Sequence, residues 1–121
     1  GEISRLMLTI KSLAADAAAL PTIIFDEIDT GVSGEIADKM GEIMAGMAHY
    51  MQVVAITHLP QVASRGEYHY RIYKNDEGET TQTCSEPLDD TRRAEEIARM
   101  LSGTQLTEAA LKNARELLNR K

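Results

Sequence analysis

Apolar residues recur at helical spacing over the first part of the chain. Ile3, Leu6, Met7, Ile10, Leu13, Ala14 and Ala17 share one stripe, which predicts a helix over residues 3 to about 19. Pro21 ends it, because its ring pushes the preceding residue away from helical angles. Thr22-Ile23-Ile24-Phe25-Asp26 is short, apolar and β-branched, and it closes on a carboxylate. It reads as a strand buried on both faces, as in a parallel sheet. Residues 29–34, Asp-Thr-Gly-Val-Ser-Gly, are rich in turn formers and read as a loop. A second helix runs to about His49, with Ile36, Met40, Ile43, Met44 and Met47 on one side and Glu35, Asp38, Lys39 and Glu42 on the other. Ser33 is placed to cap its N-terminus, and Glu35 suits the positive end of its dipole.

The run Gln52-Val53-Val54-Ala55-Ile56-Thr57 predicts a second buried strand, ending at His58, with Pro60 closing the local path. Strand, helix and strand within about 35 residues make a βαβ unit. Beyond Gly66 the pattern changes. Tyr68, Tyr70 and Ile72 alternate, Asn75 to Gly78 forms a turn, and Thr81, Thr83 and Ser85 follow. This is the pattern of a hairpin with one exposed face. Two amphipathic helices are predicted to close the chain, over 91–102 and 105–119, with Gly103 at the C′ position of the first.

Composition narrows the function classes. The 121 residues are 43% hydrophobic, which suits one compact domain or a piece of one. A net charge of −6 argues against this chain as the main DNA-gripping surface, which needs clustered Lys and Arg. Cys84 is the sole cysteine, so no internal disulfide forms, and this fits a reducing compartment. No apolar run reaches transmembrane length and no signal peptide is visible. Gly1-Glu2 opens straight into the helical pattern without an initiator Met, from which we expect a piece of a longer protein. The methionines read as core filler, and His49 and His69 as surface or packing residues.

Candidate chemistry gathers at the two strand ends. Asp26 and Glu27 follow the first strand, and His58 follows the second. In open parallel sheets ligands bind outside the carboxyl ends of the strands. Asp26 is suited to Mg²⁺, a hard cation that prefers oxygen ligands. Glu27 is suited to accept a proton from, or orient, a water that attacks a γ-phosphate, and His58 to hydrogen-bond that phosphate. Taken singly, each has a plainer reading: Asp-Glu as a solvated loop start, His58 as a turn residue, Asp29 as a turn residue holding its own loop. Presenting Asp26, Glu27 and His58 at one sheet edge is more specific than any one of them.

These residues resemble the ABC-type ATPase heads of the SMC-like group, and most closely a bacterial DNA-repair branch of it. The resemblance covers essentially the whole chain. It is carried by Ile23–Glu27 as a Walker B pattern, by its continuation Ile28-Asp29-Thr30-Gly31-Val32-Ser33-Gly34, by Thr57-His58-Leu59-Pro60-Gln61-Val62-Ala63, and by Ile97-Ala98-Arg99-Met100-Leu101-Ser102-Gly103. It implies an α/β fold: part of a P-loop NTPase head with a parallel βαβ core, a β-hairpin and C-terminal helices, residues 1–121 forming the C-terminal lobe. It implies ATP and Mg²⁺ as ligands, with Asp26 on the metal and Glu27 and His58 in hydrolysis. Gly1-Glu2 resembles the end of a signature motif whose helix N-terminus binds the γ-phosphate held by the opposite subunit. Asp29 is implied as a loop-positioning residue. Ser33 stands where the loop that crosses the dimer interface usually ends in Asp.

The implied partners are the N-terminal half of the same head, a second head in a homodimer, and DNA through the intact protein, without a membrane. The implied location is cytoplasmic and nucleoid-associated, and the implied work is repair of double-strand breaks by recombination. No Gly-x-x-x-x-Gly-Lys-Ser/Thr phosphate loop occurs in the chain, so the chain alone is expected to be inactive as an ATPase. Two alternatives stand beside this reading. One is a metal-dependent nuclease or primase-type domain with Asp26, Glu27 and Asp29 as ligands. The other is a non-catalytic interaction module.

Overall fold

A computed structural model describes residues 8–9, 11, 21–27, 31–32, 34–103 and 105–119. Its elements are β1 (Thr22–Asp26), α1 (Gly34–Met47), β2 (Gln52–Ile56), α2 (Pro60–Ala63), β3 (Tyr70–Asn75), β4 (Gln82–Pro87), α3 (Asp90–Ser102) and α4 (Glu108–Leu118). Most of the first predicted helix lies outside the described residues, although Leu8, Thr9 and Lys11 are helical. The chain divides after Arg65 into two compact units.

In the first unit β1 and β2 pair in parallel, from Thr22 opposite Gln52 to Asp26 opposite Ile56. Strand alternation sends Ile23, Phe25 and Val53 to one side, where they meet Ala37, Met40, Met44 and Met47 of α1. Leu8 joins this core and is fully buried, although it falls off the predicted apolar stripe. The other side of the strand pair departs from expectation. Ile24 is 64% exposed, Val54 40% and Ile56 46%, so these strands are covered on one face among the described residues, not on two. An apolar β-branched run looks the same in sequence whether one or both faces are packed.

Helix α1 buries its predicted methionines and stops at Met47, short of His49, which is exposed. The short α2 was not foreseen, since Pro60 suggested only an end to the preceding path. Pro60 sits in the first turn of α2, where its missing N–H costs nothing. α2 lies close on α1 at Gly41: a Cβ there would stand 2.9 Å from the Gln61 carbonyl oxygen. Arg65 then pairs with Asp38 at 3.3 Å and Glu42 at 3.6 Å on α1.

In the second unit β3 and β4 form the predicted antiparallel hairpin, from Tyr70 opposite Pro87 to Asn75 opposite Gln82. The hairpin has an exposed face, as predicted, and Tyr70 and Ile72 lie on it. Asn75 Oδ1 accepts from Glu77 N–H at 3.0 Å and starts the turn. Asp89 caps α3 by accepting from Arg92 N–H at 2.8 Å, and Gly103 ends that helix with φ +87°. Helix α4 begins later than its apolar pattern suggests. Thr107 caps it by accepting from Ala110 N–H at 3.1 Å, which leaves Leu106 outside the helix and exposed.

Candidate functional site

The register of the parallel pair decides where the candidate residues stand. Asp26, the last residue of β1, lies opposite Ile56, the last residue of β2. Neighbouring strands run about 5 Å apart. Glu27 N–H donates to the Ile56 carbonyl at 2.9 Å, so the ladder continues one residue past β1. Two residues beyond Ile56 comes His58. The carboxyl ends of β1 and β2 therefore deliver Asp26, Glu27 and His58 to one edge of one sheet, and all three are exposed. Asp26 shares the open face of the sheet with its partner Ile56.

Glu27 has φ +53°, in the left-handed region that side chains other than glycine seldom adopt. Such a conformation costs on the order of 1–3 kcal/mol and persists where the surroundings determine it. Here the bond to Ile56 holds the peptide on one side. The chain turns sharply at Glu27, directly after Asp26.

The His58 side is shaped by Thr57, to which sequence reasoning gave no role of its own at the site. Its Oγ1 accepts from Leu59 N–H at 3.0 Å, closing a tight turn over His58. A threonine two residues before a backbone N–H at a strand end is the pattern that could have flagged it. Of the other predicted site residues, Gly1, Glu2, Asp29 and Ser33 lie outside the described residues. Among the described residues no three or more His, Cys, Asp or Glu side chains come together as a metal-ligand set.

The second unit carries charge networks of another kind. Glu86 on β4 accepts from Arg71 on β3 at 3.0 Å and from Arg92 on α3 at 2.6 Å, so its carboxyl is held below the usual carboxylate range. Glu96 on α3 meets Arg71 and Arg99, each at 3.6 Å. These arginines line a shallow basin with Leu88 and Glu95, and their guanidinium groups face carboxylates of the same network. We read this as the strap that fastens the hairpin to α3. Burial, and then the charge of Arg93, lower the pKa of His69 from 6.5, with Glu96 opposing.

The parallel strand pair, with Asp26 and Glu27 at the end of β1, the hairpin and the helices make an α/β fold that has a solved counterpart. A solved structure described as "Structural biochemistry of ATP-driven dimerization and DNA stimulated activation of SMC ATPases" superposes with a TM-score of 0.67, over 87% of this chain and 62% of that one. At 15% identity the likeness concerns the fold. No family model matches the chain. Its sequence relatives are closer. It is 46% identical over 119 residues to the DNA repair protein RecN of Rickettsia conorii, covering 98% of this chain and 22% of that protein. It is 40% identical to RecN of Haemophilus influenzae and 41% identical to RecN of Halalkalibacterium halodurans, covering 21% of each. Over nearly its whole length the chain is thus RecN-like, and it spans about 22% of the length of the first of these relatives.

Proposed function

We propose that residues 1–121 are the C-terminal lobe of an ATP-hydrolysing head in a RecN-like protein that repairs DNA double-strand breaks by recombination. The observation that carries this reading is the register of β1 and β2, which sets Asp26 and Glu27 beside the segment leading to His58. RecN relatives along 98% of the chain support the DNA-repair part of it.

Phosphoryl transfer depends mainly on positioning and on stabilising charge. In this proposal Asp26 holds Mg²⁺. Its exposed carboxylate at a strand end offers the hard oxygen donor that the ion takes, and a single carboxylate beside substrate phosphates is a usual Mg²⁺ set. The ion would neutralise charge on the terminal phosphates. Glu27 orients the attacking water and takes its proton. His58 donates a hydrogen bond to a γ-phosphate oxygen.

No phosphate loop occurs in the sequence, so the α- and β-phosphates would be held by the N-terminal half of the same head. The open face of the β1–β2 pair suits that docking, since burying Ile24, Val54 and Ile56 contributes on the order of 1 kcal/mol each. Two heads would then close on ATP as a homodimer, with Gly1 and Glu2 of one facing the nucleotide of the other, and Asp29 and Ser33 shaping the loop between them. Opening after hydrolysis would gate the hold on DNA. Such a machine would work in the cytoplasm on the nucleoid. Among the described residues no helix is long and apolar enough to cross a membrane.

The test is Glu27→Gln in the full-length protein. ATP binding should be retained while hydrolysis falls by at least about a hundredfold, the scale of a lost general base. The 121-residue chain alone should hydrolyse no ATP. Normal turnover by Glu27→Gln would remove Glu27 from its role.

A further inference from the structure

His58 is carried on a short segment with a firm attachment at each end. On the upstream side, Ile56 is the last residue of β2 and accepts the Glu27 N–H at 2.9 Å. On the downstream side, Leu59 is the N-cap of α2, and its carbonyl accepts from Val62 N–H at 3.1 Å and Ala63 N–H at 3.0 Å. Pro60 and Val62 are buried, and Leu59 packs against the core. Between these attachments the Thr57 hydroxyl reaches across His58 to accept the Leu59 N–H at 3.0 Å. Its side chain closes a turn of the kind a Thr hydroxyl forms with the backbone two residues on.

We propose that Thr57 is a positioning residue for His58: its hydroxyl closes the turn that fixes the backbone carrying the imidazole. The inference rests on the reading of His58 as the γ-phosphate contact. The consequence is chemical as well as structural. A hydrogen-bond donor to a transferring phosphate acts only within a narrow range of positions, and a misplacement of about 1 Å can cost up to about a hundredfold in rate. Without the Oγ1 acceptor, the Leu59 N–H has no partner in the turn, and the segment between β2 and α2 gains conformations. Thr57 then contributes to turnover without touching ATP. Its loss should appear in kcat and not in nucleotide binding.

The experiment uses the full-length protein and compares Thr57→Val, Thr57→Ser and His58→Ala by steady-state ATP hydrolysis and by amide exchange at Leu59. Valine keeps the shape and removes the hydroxyl, whereas serine restores it. Thr57→Val should speed Leu59 exchange and lower kcat, each by roughly tenfold, with KM for ATP changed less than about twofold. Thr57→Ser should return both to the wild-type range, and His58→Ala should be at least as slow as Thr57→Val. If His58→Ala is slow but Thr57→Val turns over normally, or if serine fails to rescue it, the positioning role is overturned and the reading of His58 stands. If His58→Ala itself turns over normally, the reading of His58 falls and takes the proposal with it.

Discussion

At Glu27 the backbone takes φ +53° immediately after the strand-end aspartate, and its N–H stays bonded to Ile56 across the sheet. Among the described residues it is the one non-glycine position with positive φ, and it belongs to the pair of carboxylates picked out from sequence. Strain of this kind concentrates where a side chain must be aimed. Away from the strand ends, His69 makes a separate residue-scale test. Its Nδ1 is buried and has no hydrogen-bond partner among the described residues, and desolvation, helped by the charge of Arg93, disfavours the imidazolium. Its folded-state pKa therefore lies below 6.5, the ordinary value. Above that pH, the stability tied to neutral His69 is fully present. As pH falls below it, the unfolded chain binds the proton first, and this stability is lost progressively down to the folded value. An NMR titration of the His69 imidazole should give a midpoint below 6.5, and a midpoint at or above it would show the ring to be solvated. The strand-end positions of Asp26, Glu27 and His58 were readable because apolar β-branched runs mark strands and the polar residues after them mark strand ends. The Thr57 turn was not read, because a hydroxyl beside a strand end has many possible acceptor roles.

The elements were legible in proportion to their length and period. Helix α1 and strands β1 and β2 came out close to their observed bounds, because Met40, Met44 and Met47 repeat at helical spacing and the strands are continuous apolar runs. The four-residue α2 is too short to show a period, and its leading Pro60 imitates a chain stop. Helix α4 was drawn too long because Leu106 fits its stripe, whereas the Thr107 cap decides where helical hydrogen bonding begins. The both-faces burial expected of β1 failed at Ile24, since periodicity reports what a residue can pack against and not what the chain supplies. The α1–α2 contact can be tested directly. In Gly41→Ala the new methyl would meet Gln61 O at 2.9 Å and Arg65 Cγ at 3.1 Å. The backbone at Gln61 cannot move without shifting α2, so a loss of about 1–3 kcal/mol in stability is expected by denaturant unfolding. An unchanged midpoint would mean that α2 is free to move off α1.

For the whole molecule, the chain's net charge of −6 argues against these residues as the main DNA-gripping surface. The RecN relatives are several times longer, and in the proposed reading Asp26 and Glu27 are the carboxylate side of a nucleotide site whose phosphate loop does not occur in this sequence. The exposed apolar row of Ile24, Val54 and Ile56 on the β1–β2 sheet fits the same picture, because such a row is normally covered in a finished domain. All of this depends on the convergence of two strand ends on one ATP. The most direct measurement is a crystal structure of the full-length Glu27→Gln protein with ATP and Mg²⁺. It should place the His58 imidazole and the residue-27 side chain within about 3–4 Å of the terminal phosphate or the water in line with it, and Asp26 on the metal side. A terminal phosphate bound elsewhere, with Asp26, residue 27 and His58 facing separate regions, would contradict the account.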